Sequence, residues 1–294
     1  MKFVLLVLLA AGPAVCASDA FRAEMNVVLV NVTVLDRQER PVRGIDRARF
    51  RVFDERAEQS IAYFTEDEVP LSLAVVFDES GSVAPKIADM RAAVSAVLGN
   101  ANVSDEFALV TFAGAPRLAA GWNTDADAVA SALLADSVRG ETSLLDAVGI
   151  ALRYLKTAHN PRKALVIFSD GGDNHSRLTE REVARELAES DVQIYAINTA
   201  ERDALRAKSP EEFGGPGLLA RLCDGAGGRY FDVDGRRALA TAAEEISREL
   251  RSQYVIGYVP TFGTQDGRFH HLRVDVAGAK LSVFSRRGYR VTSD

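Results

Sequence analysis

The sequence predicts an α/β domain with a doubly wound, mainly parallel sheet, flanked by a small β-rich unit built from both terminal segments. Three observations lead there. The middle of the chain holds four continuous apolar runs, LSLAVVF, FALVTF, ALVIFS and VQIYAIN. Runs without alternation suit strands buried on both faces, as in a parallel sheet. Amphipathic stretches separate most of them, giving the strand–helix rhythm of a doubly wound domain. At both ends the pattern changes to the short, turn-bounded strands of antiparallel sheets.

The chain opens with MKFVLLVLLAAGPAVCAS. One Lys, a short apolar run and the small-residue pattern of Val15 and Ala17 read as a signal peptide spanning residues 1–17, cleaved after Ala17. The rival is a lipoprotein anchored at Cys16, against which Val15 is a poor fit. The expected location is secreted or periplasmic. No other stretch reaches the ~18 apolar residues of a spanning helix, so no transmembrane segment is expected.

Residues 23–66 form the first β segment. NVVLVNVTVLD places Val28, Val30, Val32 and Val34 on one face, with Asn31 and Thr33 on the other. A turn or short helix follows Gly44, and RVFDE and SIAYF are two more strands. Residues 70–250 are the α/β domain. Its first helix is expected over 86–98, with Ile87, Met90, Val94 and Val97 on one stripe. Shorter helical patterns follow at 125–134, 144–155 and 180–188. The last runs over 237–250, with Asp234 as its candidate cap. Residues 251–294 return to strand character in YVIGYVP, FHHLRVDV and LSVFS. Neither terminal segment is large enough for a core of its own, so the two are expected to pack together.

With 294 residues, 47% of them hydrophobic, the chain has material for one large core plus a small satellite. Acidic residues outnumber basic ones by 41 to 35, for a net charge of −6. That sign, with no long Lys/Arg run, argues against a nucleic-acid partner. Two cysteines make no disulfide framework. Cys223 lies on a helical pattern as a small buried hydrophobe. His270 and His271 are neighbours on a strand, point to opposite faces and are no chelating pair. Arg286, Arg287 and Arg290 read as a solvated end of the β unit.

The chemistry gathers where the parallel strands end, the place such sheets keep their sites. The first run leads into Asp78-Glu79-Ser80-Gly81-Ser82. A second loop offers Thr142 before a helix, and the third run ends in Asp170-Gly171-Gly172-Asp173. Two carboxylates and three hydroxyls are hard oxygen donors, suited to Mg²⁺ or Mn²⁺ rather than Zn²⁺.

These residues resemble a von Willebrand factor type A domain with an intact metal-ion-dependent adhesion site. DESGS, Thr142 in GETSLLDA and Asp170 in FSDGGDN stand in the family's order. The resemblance implies Ser80, Ser82 and Thr142 as hydroxyl ligands, with Asp78 and Asp170 ligating directly or through water. It also implies a protein partner whose Asp or Glu side chain completes the coordination. A narrower resemblance, carried by NVTVLDRQERPVRGIDRARFRVFDE, QSIAYF, LRSQYVIGYVP, RVDV and RRGYR, is to secreted bacterial proteins that wrap this domain between β segments. The turn DERAEQ departs from their Gly-containing turn.

Plainer readings stand beside these. Taken singly, Asp78 serves as well as a helix cap, Ser80 and Ser82 as loop residues, and Thr142 as the cap of the helix over 144–155; as a set of five in three loops they favour the metal reading. Asp146 near that helix start suits a bond to loop backbone. Asp173, Asn174 and His175 are rim-shaping residues. The function expected is a secreted, metal-dependent protein-binding module for adhesion or assembly, not an enzyme. The alternatives are a cell-envelope scaffold that needs no metal and a metal-dependent hydrolase. There is no phosphate-cradling G-x-x-x-x-G-K loop and no Gly-x-Ser-x-Gly elbow.

Overall fold

The computed structural model describes residues 27–134, 141–200, 214–261, 267–278 and 280–290. The expected signal peptide and Cys16 lie outside them. The central sheet has six strands: β5 (Leu71–Asp78), β6 (Glu106–Phe112), β7 (Arg117–Asn123), β8 (Arg162–Ser169), β9 (Gln193–Asn198) and β10 (Tyr230–Asp232). Their order is β10-β9-β8-β5-β6-β7, parallel except for β7, which pairs antiparallel with β6. Every residue of β5, β6 and β9 is buried. Helices on both faces make this so.

On one face lie α1 (Ile87–Leu98), α2 (Ala126–Ser131) and the 15-residue α6 (Arg236–Leu250). Met90, Val94, Leu239 and Ile246 pack there against Val75, Phe77, Val166 and Ile197. On the other lie α3 (Leu144–Leu155), α4 (Glu180–Ala188) and α5 (Gly215–Ala226), whose Leu144, Leu152, Val183 and Leu219 cover Val76, Val110, Leu165 and Ala196. The edge strand β7 was absent from the sequence reading. RLAAGWN is neither a continuous apolar run nor an alternating one. Trp122 pins it by stacking on Tyr154 of α3, with ring centroids 5.1 Å apart.

The terminal segments build two four-stranded sheets. One, in the order β13-β1-β11-β4, takes β1 (Val28–Leu35) and β4 (Ile61–Thr65) from the N-terminal side, and β11 (Tyr254–Tyr258) and β13 (Ser282–Phe284) from the C-terminal side. The other, β14-β12-β2-β3, joins β2 (Phe50–Asp54) and β3 (Ala57–Gln59) to β12 (Phe269–Val276) and β14 (Gly288–Arg290). Val30, Val32, Val34, Val52, Ile256 and Val274 belong to one shared core. Each sheet thus draws two strands from each end of the chain, and neither end can bury its apolar face alone. Inside this core the Asp54 carboxylate accepts hydrogen bonds from Tyr258 (2.9 Å) and Tyr289 (2.7 Å), tying one sheet to the other.

Three local expectations need correction. Residues 81–86 form a 3₁₀ turn containing Pro85, so α1 begins only at Ile87. The cap position of α6 is Gly235, with φ +84° and no side-chain cap; Asp234 does not take that role. Arg286 is not a solvated end: it donates to the carbonyls of Leu29 and Ser190, bridging the β unit to the end of α4. Arg287 alone of that trio is exposed. Cys223 is buried and free, and His270 is buried while His271 is exposed.

Candidate metal centre

The first carboxylate is placed by the sheet itself. Asp78 is the last residue of β5, a central strand, and is fully buried. The chain then turns sharply, and the backbone N–H of Ser80 donates to Asp78 Oδ1 at 2.8 Å. This turn brings the hydroxyls of Ser80 and Ser82 to 3.1 Å from each other. Ser80 is buried, whereas Ser82 is exposed at the loop surface.

β8 lies beside β5, with Phe168 in register with Phe77. The next residue, Ser169, therefore stands alongside Asp78 and donates its hydroxyl to Oδ2 at 2.7 Å. Asp170 follows, 4% exposed, and accepts the N–H of Gly172 at 3.1 Å. Gly171, with φ +79°, permits the bend. Its backbone approaches Gly215 so closely that an added Cβ would sit 2.5 Å from the Gly215 carbonyl.

Thr142 is held from two sides. Its N–H donates to Asn174 Oδ1 (2.9 Å), and its carbonyl accepts from the N–H groups of Asn174 and His175, both at 3.0 Å. Ser143 donates through both N–H and hydroxyl to the carbonyl of Ala113. Ser143, not Thr142, occupies the cap position of α3, and its side chain makes no cap bond. The Asp146 carboxylate accepts from the N–H groups of Arg177 and Leu178, fastening α3 to the same β8–α4 loop that carries Asp170.

Electrostatics supply the fit test for a cation. Burial pushes the Asp78 carboxyl up to about 6; hydrogen bonds from Ser80 and Ser169 oppose this, and the negative charge of Asp170 reinforces it. A buried carboxylate whose ionisation is opposed by burial and by a second carboxylate, beside serine hydroxyls, is what a hard divalent cation would relieve. The donors present fit Mg²⁺ or Mn²⁺. Among the described residues no cluster of three or more His, Cys, Asp or Glu offers another metal site. The sequence reading missed Ser169 and gave Asn174 only a rim role. The first needs the β5–β8 neighbourhood to be known; the second sits four residues past Asp170.

Residues 72–212 match the model of the von Willebrand factor type A domain. No curated protein matches the sequence. Among solved structures, a von Willebrand factor type A protein from Catenulispora acidiphila aligns with 91% of this chain and 74% of its own, at 13% identity and a TM-score of 0.50. The PilB minor pilin from Streptococcus sanguinis aligns with 64% of this chain and 63% of its own, at 11% identity and a TM-score of 0.50. Proximal thread matrix protein 1 from the mussel byssus aligns with 67% and 49%, at 16% identity and a TM-score of 0.52. Among the described residues no helix is long and apolar enough to cross a membrane. The chain has the von Willebrand factor type A fold, and the sequence match falls on its α/β domain.

Proposed function

We propose that the chain is an exported protein-binding module for adhesion or assembly, dependent on a divalent cation held by Asp78, Ser80, Ser82, Thr142 and Asp170. A bound Mg²⁺ or Mn²⁺ would supply the positive charge that a partner's Asp or Glu would meet. The chain's own residues prepare the site. Ser169 and the Ser80 N–H orient the Asp78 carboxylate. The Gly172 N–H orients Asp170, and Asn174 fixes the backbone of Thr142. Two carboxylates would neutralise the ion formally, but acting through water they would screen it incompletely and the three hydroxyls would add no charge, which would favour recruiting an outside carboxylate over generating hydroxide. The reading is therefore non-enzymatic. It includes cleavage after Ala17, an α/β domain over 70–250, and a β unit built from 23–66 and 251–294. A minor pilin and a byssal thread matrix protein, both components of assemblies by name, share the fold.

The observation that carries the proposal is the buried Asp78 carboxylate set against the charge of Asp170. The test has two arms. Calorimetric titration with Mn²⁺ is expected to show one site in the wild type. Asp78→Ala and Asp170→Ala lose it and keep their circular dichroism, while Ser80→Ala weakens it. Pull-down from the native host's surface proteins is then run with Mg²⁺ and with chelator. Partners held equally by chelated wild type or by Asp78→Ala would overturn the proposal in favour of a metal-independent scaffold.

A further inference from the structure

Beside Thr142 lies a groove of about 520 Å³ that the metal site does not use. Its walls are the turn between β6 and β7, the α3 face bearing Asp146, Ile150 and Arg153, and the β8–α4 loop. Two of these walls continue from groups that fix the candidate metal loop. Ala113, which accepts from Ser143, leads into the turn. Asn174 and His175, which donate to Thr142, lead into the β8–α4 loop. The groove is thus continuous with the surface to which a coordinating partner would bind.

Its chemistry is mixed and specific. Pro116, Ile150 and Leu178 are half-buried apolar groups lining it. Ile150 and Leu178 rest on the core beneath α3 and α4, so this apolar surface is backed by rigid packing. Two arginines and a histidine border it: Arg153 pairs with Glu186 at 2.9 Å, and His175 contacts Glu141. The Asp146 carboxylate is engaged by the backbone N–H groups of Arg177 and Leu178. The exposed guanidinium of Arg177 makes no ion pair among the described residues.

We infer that this groove is the second half of the partner-binding surface: it takes an apolar side chain close in sequence to the partner's coordinating carboxylate, while Arg177 takes a second carboxylate. The inference rests on the metal-dependent reading above and adds the partner's character, an acidic–apolar–acidic segment. Charge complementarity at Arg177 and continuity with Thr142 support this occupant. A carboxylate alone reads only charge. An apolar contact a few residues away adds the discrimination that one ionic bond lacks.

The test is a displayed library of random peptides about ten residues long, selected on the full chain loaded with Mg²⁺. Parallel arms use chelator, Asp78→Ala, Ile150→Arg and Arg177→Glu. The loaded wild type is expected to enrich peptides holding Asp or Glu, a nearby Leu, Ile, Met or Phe, and a second acid. Ile150→Arg keeps the first acid and loses the apolar preference. Arg177→Glu loses the second acid. Each weakens binding of wild-type-selected peptides about tenfold, while Mn²⁺ affinity stays within about twofold. Arg177 is exposed, so its variant tests the charge half independently of any folding cost at Ile150. If metal-dependent peptides emerge but both groove variants select the wild-type set, the groove inference is overturned and the metal reading stands. If chelated protein or Asp78→Ala enriches the same peptides, the metal reading itself falls. A selection enriching nothing over the chelated protein counts against both.

Discussion

Replacing Asp78 by Asn separates a metal ligand from a structural cap. The change keeps the side chain's shape and its acceptor for the Ser80 N–H at 2.8 Å. The new amide faces the Ser169 hydroxyl, now 2.7 Å from Oδ2, which can turn to accept. Only the charge is lost. Burial, reinforced by Asp170, raises the carboxyl from 3.8 to about 6. Ionised Asp78 therefore costs the metal-free fold about 3 kcal/mol at neutral pH. The sign follows from proton binding. Between about pH 4 and pH 6 the folded state holds this proton more tightly than the unfolded chain, so metal-free stability falls as pH rises through that window. Asn has no such window. In chelator at about pH 7.5, Asp78→Asn is therefore expected to be more stable than wild type, by up to about 3 kcal/mol, with the advantage gone near pH 4. Magnesium at about a hundredfold excess over its Kd should return about 2.7 kcal/mol to the wild type and nothing to the variant. Urea unfolding followed by circular dichroism, at both pH values with chelator and with Mg²⁺, reads all of this. A variant less stable than wild type in chelator at the higher pH, or equal stabilisation of both by Mg²⁺, would refute the reasoning.

Two further outcomes follow from named contacts. Gly171→Ala places a Cβ 2.5 Å from the Gly215 backbone at φ +79°, so thermal melting should show a loss of about 2 kcal/mol or more, and Mn²⁺ titration a weakened site as the Asp170 loop shifts. Glu249 is buried, and burial pushes its carboxyl up to about 7, with Glu245 and Glu39 adding to the push against the pull of Arg229. This group's contribution to stability therefore falls as pH rises from about 4.5 to 7, by about 2–3 kcal/mol. Glu249→Gln should flatten that slope in urea unfolding across the same range, and an unchanged slope would show that Arg229 holds the carboxylate ionised throughout.

Much of this was legible because the signals were periodic. β1 alternates, and its valines are buried, although Thr33 and Leu35 on its other face are covered as well; β5 and β9 are mostly apolar, and both their faces are covered. What escaped the sequence lacked a period. β3, β10 and β14 are three residues long, and β7 is an edge strand fixed by a Trp–Tyr stack rather than by alternation. The five candidate ligands were readable as residue types in order. Ser169 was not, because its role depends on β8 lying next to β5 although two strands intervene in the chain. Arg286 misled for the opposite reason. Charge suggested solvent, but two carbonyls from different units compensate its guanidinium.

The contacts between the two units gather at the opposite end of the parallel sheet from the candidate site. Arg162, the first residue of β8, donates to the carbonyls of Val69 and Leu250 and to the Gln253 side chain. Gln253 in turn donates to Thr33 of β1 and to Tyr195 near the start of β9. Arg251 pairs with Asp105, just before β6, at 2.6 Å. Arg286 reaches Ser190 before β9, and Arg229, just before β10, contacts Glu39 of the β unit. Asp78 and Asp170 lie where β5 and β8 end. Because strand direction is shared, joining the β unit to the strand starts leaves the strand ends clear. The same parallel sheet that sets Asp78 beside Ser169 thus keeps the β unit away from the surface a partner would approach.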